Sequence, residues 1–246
     1  MSRFGKFLFV CAFIIGGGYA ACQILYPTLY LRYKLTVNIS DHGAIKTGSG
    51  VIEISYSLGT DIFEYAGPSG AYGVMHGNAI TVDLGKDGLV FVINRRAGWP
   101  PGYRGKPSAT LWDLPLVVSG LGGGLRKSSV MKRDVPAAQS LLRTPVDVPA
   151  WAMPAMVRFR NIDDPRSVEL LIASDLSESL GEGVHFDSAT LELTDEPITP
   201  TPADWPGWLK SGDPWTIIVS PSVTYPAPIW RVVLQGLRIR DFRGSE

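Results

Sequence analysis

Six of the ten carboxylates between residues 163 and 196, namely Asp163, Asp164, Asp187, Glu192, Asp195 and Glu196, are candidates from which an acid and a base for glycoside hydrolysis could be drawn. Most have a simpler use. Asp163 and Asp164 precede Pro165, where a short acceptor side chain starts a turn or caps a helix. Glu192 alternates with Leu191 and Leu193, which turns it to solvent on a strand. Three histidines, His42, His76 and His185, lack a second histidine or cysteine at i+2 or i+4 in a zinc pattern, so a zinc site would need three distant segments. His42 and His76 each precede a glycine and read as turn residues, while His185 reads as a strand residue. Gly120 to Ser129 ends in Lys-Ser like a phosphate loop. That loop needs glycine before the lysine, and Arg126 stands there, which leaves a glycine loop with incidental affinity for anions. Thr47 to Gly50 and Gly67 to Gly70 place serine next to glycine without the spacing of a nucleophile elbow. No catalytic residue, metal ligand or cofactor is therefore assigned.

The most unusual local composition is Pro200 to Trp215, which carries three of the seven tryptophans, Trp205, Trp208 and Trp215, among prolines. Indoles in such a loop could stack on sugars, lie among lipid headgroups or contact another ligand. The competing use is packing against the domain's own sheet, the ordinary fate of large aromatics.

These residues need elements to hold them. The 27 glycines and 19 prolines of the 246 residues favour short strands and many turns over long helices. Leu31 to Ile39 and Gly50 to Tyr56 alternate with period two and predict a hairpin with a rather long connection. Ala79 to Leu84, the turn 85–88 and Leu89 to Asn94 predict a second hairpin. Its continuous apolar run, Leu89 to Ile93, asks for cover on both faces. The middle is glycine- and proline-rich, with a short helix over Ala137 to Arg143 and a strand over Leu114 to Val118. Prolines 145, 149 and 154 make an extended link, the best internal boundary. Beyond it come strands over Met156 to Arg160 and Ser167 to Ile172, and a helix started by Ser174 or Asp175 and ended at Gly181. A long strand over Val184 to Thr194 follows, then strands over Trp215 to Val219, Trp230 to Leu234 and Leu237 to Phe242. The expected class is α+β and β-rich: an N-terminal transmembrane helix, then a mostly antiparallel sheet domain with a few short helices.

The mean hydropathy of +0.11 comes from the front of the chain. Phe7 to Tyr26 is twenty residues without a formal charge, about 30 Å as a helix, the thickness of a bilayer core. A cleaved signal could use Gly18 and Ala20 ahead of its cut, and a lipoprotein could use Cys22. The run continues through Ile24, Leu25 and Tyr26 to full spanning length, which favours an uncleaved anchor. Arg3 and Lys6 keep the N-terminus, residues 1–6, in the cytoplasm and send residues 27–246 across, into the periplasm of a Gram-negative cell. Both cysteines, Cys11 and Cys22, fall in this segment, so the exported part contains no disulfide, thiolate nucleophile or cysteine metal site. With 23 basic and 23 acidic residues over the whole chain, a nucleic-acid binder working through a broad basic surface is excluded.

Pro154 to Thr199, with RYKLTVNI and SGVIEISY after an apolar N-terminus, resembles a group of uncharacterised proteobacterial envelope proteins. They share an anchor, an RYRLT-type strand and a VRFRD-x-x-DP-x-SV segment. Asn161 stands where that segment carries an acidic residue. The resemblance implies an envelope location and a shared fold, and it brings no activity. The expectation is thus an inner-membrane, single-pass protein with its domain in the periplasm. It would act as a non-catalytic binding or scaffold component beside another envelope protein. The alternative is a carboxylate-dependent envelope hydrolase acting on glycan or lipid.

Overall fold

The computed structural model describes residues 27–58, 72–97, 108–121, 128–203, 205–213, 216, 218, 234 and 237–244. The first hairpin, β1 (Thr28–Asp41) and β2 (Ala44–Ser57), pairs without interruption from Thr28 opposite Ser57 to Asp41 opposite Ala44. The expected long connection is a two-residue turn. His42 (φ 50°) and Gly43 (φ 85°) both adopt the left-handed conformation that matches the twist of a hairpin. The longer strand is masked in the sequence because Gly48 and Gly50 occupy inward positions. A Cβ at Gly48 would lie 2.0 Å from the Thr81 carbonyl oxygen, and one at Gly50 2.6 Å from Ile80 Cδ1. Glycine is required at both positions by the approach of a second sheet; the pattern suggests a loop at Gly48 and opens the expected strand at Gly50.

A five-stranded antiparallel sheet forms in the order β3-β2-β1-β9-β6, with β3 at Tyr72–His76, β6 at Val146–Asp147 and β9 at Val184–Leu193. A bulge between Asn38 and Ile39 shifts its β1–β9 register. The second sheet runs β4-β5-β7-β8: Ile80–Asp83, Leu89–Arg96, Pro154–Phe159 and Val168–Leu171. Both sheets take strands from either side of the 145–154 link, so chain crosses that link within one packed unit.

The run Leu89 to Ile93 is covered on both faces, as its composition asks. Val90 and Val92 join the core between the two sheets, with Leu35, Val37, Ile52 and Met156. Phe91 and Ile93 point the other way, into a second core closed by Trp205, Leu209, Leu237 and Phe242. The molecule is therefore layered as sheet, sheet and C-terminal segment.

Two helices fill the inner face of the first sheet near the start of β1. The segment Leu114–Val118 is a helix, α1, where a strand was expected. Pro115 lies in its first turn, where the missing N–H costs nothing, and that favours helix over a paired strand. The helix expected at Ala137 begins earlier, as α2 (Ser128–Leu141), and contains Pro136, which hid its first half. The short helix α3 (Leu176–Leu180) ends on Gly181 at φ 96°, as the residues predict, while Asp175 before it makes no side-chain capping bond. A last helix, α4, spans Gly207–Ser211. Leu237 to Phe242 is a 3-10 turn over Ile239–Asp241 and not a strand. The Asp241 carboxylate accepts the Arg238 N–H at 2.8 Å and so closes that turn. The expected strands over 215–219 and 230–234, and the apolar segment 7–26, lie mostly or wholly outside the described residues. Among those described, no helix is long and apolar enough to cross a membrane.

Candidate functional site

A polar cluster with buried members is structural. Asp113, nearly buried, accepts hydrogen bonds from the Thr110 N–H (2.6 Å) and hydroxyl (2.9 Å) and from Arg96. Arg96 also donates to the Ser108 carbonyl. The Tyr33 hydroxyl donates to the Leu111 carbonyl at 2.5 Å, and that of Tyr56 to the Trp112 carbonyl at 2.9 Å. Burial, with the Asp113 charge nearby, pushes both phenols above their ordinary pKa. These groups pin the segment 108–113 to the first sheet through Tyr33 and Tyr56 and to β5 of the second through Arg96. Sequence reading missed the cluster because its members stand far apart in the chain and only the fold gathers them.

A different arrangement occupies the end of the second sheet. At the β7–β8 connection, Arg158 donates to Glu169 at 2.9 Å and to the Ser179 carbonyl at 2.6 Å, and Arg160 also pairs with Glu169. Burial raises the Glu169 carboxyl, yet the hydrogen bonds from Arg160 and Arg158 outweigh it and hold the group below its usual range. On this base stands the loop 160–167, tied by its own side chains. Asn161 Oδ1 accepts the Asp163 N–H (3.1 Å), and the Ser167 hydroxyl donates to the carbonyls of Asn161 (2.8 Å) and Asp164 (2.7 Å). Asn161 thus holds the loop as an aspartate in that place would, by accepting a backbone N–H two residues on. Asp164 Oδ1 accepts the Arg166 N–H at 3.0 Å and its Nε at 3.3 Å. The backbone donor first, then the guanidinium, keeps its carboxyl below the ordinary value.

Opposite this loop lies α4. Trp208 packs edge-on against Phe159 with ring centroids 5.3 Å apart, and its Nε1 donates to the Ile162 carbonyl at 2.9 Å. Between the two elements is an open cleft of about 800 Å³. Half-buried Trp208 and the side chains of Ile218 and Ile239 make its floor; Asp163, Asp164 and Arg166 make its rim. Two other grooves are smaller, about 280 and 460 Å³, and neither contains a tryptophan.

The tryptophans singled out in the sequence therefore part company. Trp205 is 2% exposed and packs edge-on against Phe91 at 5.6 Å, so it belongs to the second core and presents no ring to a ligand or membrane. Trp208 lines the cleft, and Trp215 lies outside the described residues. Of the six candidate carboxylates, Asp163 and Asp164 meet at the cleft, Glu192 lies half-buried in β9 opposite Lys34, and Glu196 is occupied with Lys34 at 2.9 Å. Asp187 accepts from Ser188 at 2.9 Å, and Asp195 lines the groove of about 460 Å³. The histidines are dispersed. His42 sits in the hairpin turn beside Asp41, at 2.8 Å, and His76 ends β3, where a turn was expected, with Ser55 at 3.4 Å. His185 lies exposed in β9, the strand predicted for it. Among the described residues no group of three or more His, Cys, Asp or Glu is placed to hold a metal ion.

Comparison of the chain with protein-family models, with curated proteins and with solved structures finds no match.

Proposed function

We propose that this protein is a single-pass envelope protein, anchored in the inner membrane by residues 7–26, whose periplasmic domain binds a segment of another envelope protein in the Trp208 cleft. The anchor rests on twenty uncharged residues of spanning length preceded by Arg3 and Lys6. The resemblance of Pro154 to Thr199 to anchored envelope proteins supports the same location. The observation that carries the binding role is the make-up of the cleft. An indole and two isoleucines form an apolar floor, and acidic and basic side chains share the rim. Protein interfaces have this pattern, with tryptophan and arginine the residues that most often dominate binding.

The alternative, a hydrolase using two carboxylates, draws less from the same site. A general acid needs a carboxyl whose pKa is raised, and Asp164 is shifted downward by its bonds to Arg166.

The test is site-specific photo-cross-linking of the full chain in native membranes, with the cross-linking residue at Asp163 or, as a control on the other sheet, at Ser49. The expected result is one discrete protein adduct from position 163, lost in a Trp208→Ala background and absent from position 49. Equal adducts from both positions, or adducts indifferent to Trp208, would remove the cleft as the binding site.

A further inference from the structure

Tyr30, Ile45 and Leu141 are each 54% exposed and Val74 is 39% exposed, large apolar side chains that the domain's own cores leave uncovered. Their distribution along the first sheet is uneven. Tyr30 is opposite Ser55 on β2, and Ser55 is opposite Val74 on β3, so Tyr30 and Val74 share one row on the outer face. That row lies three residues past Pro27, about 10 Å of strand from the end of the uncharged segment. The last turn of α2 is fastened to the same place. Gln139 Nε2 donates to the Tyr30 carbonyl at 2.8 Å, on the edge of β1 that β9 does not reach, since the last β9 residue, Leu193, pairs with Tyr33. Leu141 and exposed Arg143 follow within four residues.

We infer that Tyr30, Val74 and Leu141, with Arg143 beside them, form a rim that rests in the headgroup layer of the bilayer and sets the domain upright, with the β1–β2 turn pointing away. The inference rests on the anchoring reading above and adds the orientation. Its occupant follows from chain connectivity, because a segment of spanning length ends one residue before Pro27 and brings the bilayer to the end of β1 that carries this row. Tyrosine is favoured at the membrane interface, and a cation near anionic headgroups adds attraction. Asp195 lines the same groove as Arg143, and Glu53 pairs with Arg32 at 2.7 Å. Net charge is thus small there, and the apolar side chains carry most of the contact. Ile45 provides an internal control. It is equally exposed but stands opposite Ser40, ten residues beyond Tyr30, or about 33 Å further along the strand.

The experiment uses the full chain carrying Cys11→Ala and Cys22→Ala, with one cysteine introduced at a time by Tyr30→Cys, Val74→Cys, Leu141→Cys or Ile45→Cys. Each is labelled with an environment-sensitive fluorophore and reconstituted into phosphatidylethanolamine–phosphatidylglycerol vesicles. Lipids spin-labelled near the headgroup should quench the probes at 30, 74 and 141 at least about twofold more than the probe at 45, with blue-shifted emission. Protein that floats with the vesicles yet shows equal quenching at all four positions overturns the rim and leaves the anchor standing. Protein that does not float overturns the anchoring reading itself. Probes at 30 and 141 shielded from a water-soluble quencher but untouched by the lipid quencher would mean that protein covers this face, which also overturns the inference.

Discussion

Gly48→Ala tests how the two sheets meet. Gly48 lies mid-strand in β2 facing β4, and an added Cβ would stand 2.0 Å from the Thr81 oxygen, 2.7 Å from its carbonyl carbon and 2.9 Å from Val82 Cγ2. The first two are backbone atoms in a paired strand, so no side-chain rotation relieves the contact. Reaching an ordinary separation of 3.4 Å requires the strands to part by roughly 1.4 Å locally. Overpacking of this kind costs about 1–3 kcal/mol, and the rigid backbone puts this case at the upper end. Replacing a strand glycine by alanine returns about 0.5–1 kcal/mol through a less flexible unfolded chain, leaving a net loss of about 2 kcal/mol. For a chain of this size that is a fall in Tm of about 4–8 °C. The assay is thermal unfolding of the detergent-solubilised full chain, followed by near-ultraviolet circular dichroism. Gly207→Ala is the control. Nothing lies within 4 Å of a Cβ there, and the residue opens α4, so the same exchange should raise Tm by about 1–4 °C. If Gly48→Ala melted within a degree of the unaltered protein, the contact between β2 and β4 described above would be wrong.

Phe91→Ala should cost about 3–5 kcal/mol, because the ring sits edge-on to Phe159, Trp205 and Phe242 at the centre of the second core; denaturant titration reads the loss directly. Tyr33→Phe leaves the buried Leu111 carbonyl without its donor and should cost about 1–2 kcal/mol. The Tyr33 phenol is raised in the folded state, so its contribution is complete below its unfolded pKa near 10 and declines as pH rises toward the folded value. Alkaline melting curves should therefore fall less steeply for Tyr33→Phe than for the unaltered protein. Glu169 has the opposite sign. Its carboxyl is lowered on folding, so its stabilisation is present above the unfolded carboxylate pKa and is lost as pH falls through the folded one. Glu169→Gln should lower Tm at neutral pH and flatten the acid limb, measured as Tm against pH. At the cleft, Arg166→Ala, on an exposed loop side chain, should weaken partner cross-linking at position 163 while leaving Tm unchanged.

The sequence by itself determined what depends on neighbours along the chain. Period-two alternation marked β1, β2, β4 and β9 because each has one face against a core, and the unbroken run Leu89 to Ile93 required cover on both sides. Asp163, Asp164 and Pro165 marked a turn and Gly181 a helix end, since capping and left-handed geometry are local. The anchor expectation is of the same kind, a matter of length and charge in one segment. Tertiary structure decided what depends on approach from elsewhere. Gly48 reads as a loop residue until β4 is seen pressing on it, and Pro136 disguised a helix held by its buried side. Trp205 and Trp208 are three residues apart in the same proline-rich stretch, with equal claim to a ligand. Only the packing of Phe91 against one and of the 160–167 loop against the other sent the first into the core and left the second lining a cleft. Composition gives an indole its preference for contact, but what it contacts is set by strands more than forty residues away, a separation over which no local pattern carries information.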